Sequence, residues 1–171
     1  ANLTLIPPCC GPERDASVQG WDCGPANSLI DLAVQQFSNG TLLFDRGGAM
    51  AKAGQSDETR ICRWLQEPYF QSPPPKSTGR ELFGRANLQQ RLNDLSRDCS
   101  SQDAVATLTS FSAAVVAQDL EQLRQRDRIR PLELIVAGGG RHNPVLMDQL
   151  QQRCRGLQLS SSEELGLPVE A

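Results

Sequence analysis

The chain has little of what several common functions require. His142 is its only histidine, and its six cysteines contain no C-x-x-C pair, with Cys9 and Cys10 adjacent. A zinc site is therefore a poor expectation, since such sites draw paired cysteines and histidines at set spacings. There is no excess of basic residues: the formal net charge is -3, which argues against nucleic acid as the main partner. No apolar run reaches the roughly 20 residues that a membrane-crossing helix needs, so no membrane partner is expected. The opening residues ANLTLIPPCC lack a basic region, so no signal peptide is read there. No internal repeat or low-complexity segment stands out, and no G-x-G-x-x-G fingerprint is present.

What remains suits one domain with a sizeable core: 171 residues, 39% of them hydrophobic. An even cysteine count permits a disulfide framework, but a chain this long has less need of staples, so the cysteines read as reduced thiols of a cytosolic protein.

The stretch Gln19–Asp31, QGWDCGPANSLID, organises the rest. Pro25 suits the first turn of a helix, where its missing N–H goes unnoticed. Leu29, Ile30, Ala33, Val34 and Phe37 follow at helical spacing, which predicts a helix over 25–37. Asp22 then falls in a strand-to-helix turn, next to free backbone N–H groups and a positive helix end. Such a turn favours a phosphate, and a carboxylate in it can hold a metal-bound water or take a proton. The same aspartate equally fits a plain N-cap. Cys23 beside it is either a reactive thiol or, as we prefer, a small residue in a tight turn.

Along the chain, strands are expected at 1–7 and 18–21, then a helix closed by a left-handed Gly40. Asp45, Gly47 and Gly48 form a turn ahead of a helix over 49–53. Ser56 or Asp57 caps another through Leu65, with Ile61, Cys62 and Leu65 facing inward. Pro68 and the Pro73-Pro74-Pro75 run break regular structure, and Lys76 to Glu81 reads as a surface loop. A short helix follows at 88–95. A long one runs from Ser100 or Ser101 to about Gln125, with Ala104, Leu108, Phe111 and Val115 in one apolar row. Val105, Ser112, Val116, Leu120 and Leu123 widen that face, so the helix is expected to pack against a sheet. Arg124, Arg126 and Arg128 at its end suit the helix dipole and read as solvated.

Leu132 to Ala137 is a short apolar run of the kind expected in a buried strand. Gly138, Gly139 and Gly140 follow at once and let a backbone approach a ligand closely. His142 reads as a loop residue, and a last strand is expected over 156–160. Strands alternating with helices make an α/β layered domain.

Four stretches, DCGPANSLID, FDRGGAMAKAG, PYFQSPPPKSTGRELF and VAGGGRHNPVLMDQL, stand in the order found in anhydro-N-acetylmuramic acid kinase, which the chain resembles from ANLTLIP to GLPVEA. PPKSTGRE near a D-x-G-P-x-N turn is the most specific piece. The resemblance implies an RNase H-like lobe of the actin–hexokinase superfamily, with a mixed sheet flanked by helices and ATP bound between two lobes. It implies phosphorylation of the 6-oxygen of 1,6-anhydro-N-acetylmuramic acid with hydrolytic opening of the anhydro bridge, giving N-acetylmuramic acid 6-phosphate in peptidoglycan recycling.

On that resemblance Asp22 is the catalytic base. Gly138, Gly139 and Gly140 contact the nucleotide, with Asn143 in support. From the chemistry, Gly24 in the turn can offer an N–H to phosphate, and Asn27, Lys76, Thr78 and Arg80 are candidate contacts to the sugar substrate without assigned roles. The cofactors are ATP and Mg²⁺, no residue of the chain is assigned to a metal, the setting is cytoplasmic, and a homodimer is the assembly suggested.

The departures are in length and at the ends. Family members are about twice this long, as two lobes of domain size require. The Gly/Ser/Asp phosphate loop of the first lobe has no counterpart here, and Cys23 stands where Thr or Ser is usual. The expectation is therefore a C-terminal lobe over 1–171 with the N-terminal lobe absent, inactive by itself. The alternatives are a non-catalytic fragment or interaction module, or another sugar kinase of the superfamily, against which PPKSTGRE counts.

Overall fold

A computed structural model describes residues 1–11, 15–78, 82–127 and 129–166. Strands β1 (Asn2–Leu5) and β2 (Gln19–Asp22) pair antiparallel, with Asn2 opposite Asp22. Helix α1 spans Ser28–Phe37. A 3-10 turn over Arg46–Gly48 leads into α2 (Ala49–Ala53), followed by α3 (Glu58–Trp64), the single turn α4 (Pro68–Gln71) and α5 (Arg85–Asp94). The long α6 (Ser101–Gln122) ends in a π turn over Leu123–Asp127. Strand β3 (Glu133–Val136), a 3-10 turn over Gly139–His142, α7 (Pro144–Arg153) and β4 (Gln158–Ser161) complete the described chain. Strands β3 and β4 run parallel on either side of α7 in sequence.

The core is built on α6. Ser100 and Asp103 start it with reciprocal bonds, the Ser100 hydroxyl accepting from the Asp103 amide at 3.1 Å and the Asp103 carboxylate from the Ser100 amide at 3.2 Å. Every residue from 104 to 115 is buried. Helix α6 packs against α1, α2, α3 and α7, and its Asp119 accepts a bond from Trp21 of β2. Burial on all sides requires neighbours on all sides, and small residues allow their close approach. Ala104, Ala106, Ala113 and Ala114 carry no polar atom in the side chain, and the Thr107 and Thr109 hydroxyls donate to the carbonyls of Asp103 and Val105, one turn back, at 2.7 and 2.8 Å.

The chain mixes strands and helices as expected, but the strands form two separate pairs among the described residues, not one mixed sheet, and α1 to α6 follow one another without a strand between them. Sequence alternation marks layers without saying which strands share hydrogen bonds. The run 132–137 is not buried: Leu132 is 84% exposed and Ile135 41% exposed, while Leu134 and Val136 pack on the core. Only one face of β3 is covered, so the strand alternates despite its continuous apolar sequence. The first helix starts at Ser28 instead of Pro25 because Ala26 has a left-handed φ of 51°, which no helix continues through. In α3 the inner face is Ile61, Trp64 and Leu65; Cys62 is exposed, about 100° round the helix from Ile61. Pro68 begins a helical turn where it was expected only to break structure. Gly40, with φ 79°, closes α1 as expected. At the end of α6, Arg124 donates to the Arg155 carbonyl at 3.3 Å and Arg126 is exposed, while Arg128 lies outside the described residues.

Candidate active site

Asp22 ends β2, and the loop after the three prolines folds back onto it. Its Oδ2 accepts from the Thr78 amide at 2.8 Å, the Ser77 hydroxyl at 3.2 Å and the Thr78 hydroxyl at 3.3 Å. Its own backbone is clamped as well, the amide donating to the Lys76 carbonyl at 3.0 Å and the carbonyl accepting from the Tyr69 hydroxyl at 2.7 Å. These bonds, the Thr78 amide first, hold the Asp22 carboxyl below the usual carboxylate range. Among the described residues Oδ1 accepts no hydrogen bond. The N-cap reading of Asp22 fails, because Asn27 occupies that position ahead of α1. A cavity of about 270 Å³ lies beside Asp22, lined also by Asn2, Thr4, Trp21 and Ser77.

Lys76 anchors this loop from beneath. Its ammonium donates to Asp119 Oδ1 at 2.8 Å, and both side chains are buried. Trp21 Nε1 donates to the other Asp119 oxygen at 2.8 Å. Burial raises the Asp119 carboxyl above its usual range, and the bonds from Lys76 and Trp21 oppose that rise. The structure thus brings Thr78 and Asp22 together and engages the Lys76 ammonium elsewhere. Arg80 lies outside the described residues.

Gly24 does not present a free N–H in this chain: its amide donates to the Ala1 carbonyl at 3.4 Å, and the residue is buried. Its glycine is needed for packing, since a Cβ there would lie 2.6 Å from Val115 Cγ1 on α6. Cys23 is fully buried, its thiol donates to the Ala1 carbonyl at 3.2 Å, and burial pushes its pKa up to about 12. The small-residue reading of Cys23 therefore holds.

Gly139, in the middle of the glycine triplet, lines a second cavity of about 570 Å³. Gly138 takes φ 79° and ψ -176°, a region open in practice only to glycine. A Cβ on Gly140 would meet Leu146 at 3.2 Å and Asn27 Oδ1 at 3.4 Å. The buried Arg141 side chain braces the turn, donating to the Gly138 carbonyl at 2.7 Å and to Glu163 at 2.7 Å. Asn143 caps α7, its Oδ1 accepting from the amides of Val145 and Leu146 at 3.1 and 3.2 Å. The first amides of α7 are therefore satisfied by Asn143 itself, and Pro144 carries no N–H. Asn27, a candidate sugar contact, sits against Gly139 and Gly140.

Sequence reasoning missed that the Asp45–Gly48 turn joins this cavity. Gly48, at φ 67°, approaches so closely that a Cβ would lie 2.5 Å from Asn143 Oδ1. The buried Asp45 carboxylate accepts from the Met50 and Ala51 amides at 2.8 and 3.0 Å, which holds the turn in place. Asp31 faces the same cavity, its pKa raised to about 6 by burial and then by the Asp45 charge. His142, a loop residue as expected, lines the cavity too. Sequence reasoning also missed Asp119, whose one signal was an acid within the widened apolar face of α6. Among the described residues no group of three or more His, Cys, Asp or Glu is placed to hold a metal ion.

The family model described as anhydro-N-acetylmuramic acid kinase matches residues 1–171. The chain is 95% identical, over all 171 residues, to the anhydro-N-acetylmuramic acid kinase of Synechococcus sp. (strain CC9902). It is 65% identical over the same span to those of Synechococcus sp. (strain CC9605) and Prochlorococcus marinus (strain MIT 9303). It covers 45% of each of these proteins, less than half their length.

Proposed function

Because the chain belongs to the anhydro-N-acetylmuramic acid kinase family, we propose that it serves in the whole protein as the C-terminal, RNase H-like lobe of a two-lobed sugar kinase. The substrate is 1,6-anhydro-N-acetylmuramic acid, and the product is N-acetylmuramic acid 6-phosphate. The observation that carries this reading is the Asp22 carboxylate, held ionised on one oxygen by Ser77 and Thr78 with its other oxygen unbonded among the described residues.

Asp22 is the base. Opening the anhydro bridge requires water to attack the anomeric carbon and lose a proton, and a fixed carboxylate can take it. The 6-oxygen is thereby released as the nucleophile toward phosphorus. Ser77 and Thr78 fix the base, and Lys76, through Asp119, positions the loop that carries them. Trp21 holds the other Asp119 oxygen.

The residues of the second cavity fit a nucleotide. Gly138 lets the turn adopt its backbone, Arg141 braces it, and Gly139 and Asn143 line the cavity. ATP supplies the transferred phosphoryl group when bound, with Mg²⁺ neutralising its charge. Among the described residues no group of three or more His, Cys, Asp or Glu is placed to hold a metal ion, and no step is assigned to a metal held by this chain. The setting we propose is the cytoplasm, in line with free cysteines, and a homodimer is the proposed assembly. No described helix is long and apolar enough to cross a membrane.

The test is a coupled ATP-consumption assay with the anhydro sugar and Mg²⁺. It is run on the whole protein, its Asp22→Asn variant, and the 171-residue chain. We expect turnover only in the unsubstituted whole protein. A well-folded whole protein with no turnover would favour the non-catalytic reading, and turnover by the 171-residue chain would overturn its assignment as half of a site.

A further inference from the structure

The large cavity has two chemically different sides. On one side are Gly139 and Asn143 of the glycine turn. On the other is Asp31, whose carboxylate has no hydrogen bond or ion pair among the described residues. The two sides are connected through α1. Asn27 lies against the glycine turn, and the Asp31 amide donates to the Asn27 carbonyl at 2.8 Å. One helical turn carries Asp31 about 6 Å further along the axis.

A carboxylate in that position repels phosphate and accepts hydrogen bonds from neutral hydroxyls. Its neighbour Asp45 does not compete, because both Asp45 oxygens are engaged by the Met50 and Ala51 amides. Leu43 and Phe44 line the same cavity and are 68% and 51% exposed, an apolar surface left open. One cavity thus collects a glycine-turn backbone, an unpaired acceptor and an open aromatic side chain.

We propose that Asp31 selects ribonucleotides, its carboxylate accepting from the ribose 2′- and 3′-hydroxyls, with the base against Phe44 and Leu43. This rests on the glycine turn holding the phosphates. It adds the residue that tells ribose from a sugar without these hydroxyls.

The experiment measures dissociation constants of ATP and 2′,3′-dideoxy-ATP for the whole protein by calorimetry, without the sugar substrate. The wild type should prefer ATP by about tenfold or more, the usual worth of hydrogen bonds to a charged acceptor. Asp31→Asn should shrink the preference to about twofold, with the dideoxy nucleotide bound as before. Equal binding of the two nucleotides by the wild type overturns the proposal without any variant. A wild-type preference retained in Asp31→Asn overturns it too, as does failure of the wild type to bind ATP. The preference without turnover of the anhydro sugar would keep this inference and remove only the sugar assignment.

Discussion

The Thr78 amide donates to Asp22 Oδ2 at 2.8 Å, joining the end of a strand to a loop 56 residues later. With the Ser77 and Thr78 hydroxyls on the same oxygen, the bond favours the ionised carboxylate. A base with a lowered pKa stays deprotonated throughout the neutral range, so Asp22 should contribute no fall in kcat/KM on going from pH 8 to pH 6. Replacing both hydroxyls in a Ser77→Ala, Thr78→Val protein removes bonds to the charged form and raises the Asp22 pKa. The acidic limb of kcat/KM should therefore move to higher pH. A profile of unchanged position in that variant would show that Asp22 is not the titrating base.

Lys76 and Asp119 connect this loop to α6 with both charges buried. Removing one partner leaves the other charge uncompensated, which typically costs about 3 kcal/mol or more. Asp119→Asn should lower the urea unfolding midpoint accordingly and impair turnover, because the loop carrying Ser77 and Thr78 loses its anchor. The double variant Lys76→Met, Asp119→Leu should recover most of the stability and little of the activity. Recovery of both would mean the ion pair does not position Asp22.

Much of the fold was legible because its signals are local. The Ser100–Asp103 start of α6, the Gly40 cap and the glycine turn after β3 are all written in a few adjacent residues. What escaped depends on pairing across the chain. Nothing near Asp119 announces Lys76 or Trp21, and nothing near Gly48 announces Asn143. The apolar run at 132–137 looked buried because sequence reports hydrophobicity and not what covers it; Leu132 and Ile135 are exposed on β3. Nor does the sequence around Gly24 and Asn27 announce their neighbours, Val115 on α6 for the one and the glycine turn for the other.

Asp31 gives a stability prediction of definite sign. Its pKa is raised from an ordinary 3.8 to about 6 by burial and the Asp45 charge, so the folded state binds its proton more tightly than the unfolded state. That preference is fully present below pH 4 and is lost as pH rises through about 6. Above that pH the ionised carboxylate opposes folding. Asp31→Asn should thus be more stable than the wild type at pH 8, by about 1 kcal/mol once solvent screening of a half-exposed group is allowed for. The gain should disappear near pH 4. Urea unfolding at the two pH values checks this, and a gain independent of pH would assign the effect to packing instead of charge.

Gly24 separates packing from ligand binding most directly. A methyl group on this glycine would meet Val115 Cγ1 at 2.6 Å, in a stretch of α6 with neighbours on all sides. Overpacking of this kind typically costs about 1–3 kcal/mol. Gly24→Ala should therefore lower the unfolding midpoint, and Val115→Ala in the same protein should restore part of it by vacating the space the methyl group needs. If Gly24 acts only through packing, ATP affinity in the rescued double variant should match that of Val115→Ala alone. A persistent loss of affinity in the rescued protein would return Gly24 to the phosphate site, with its N–H turned from the Ala1 carbonyl toward the ligand.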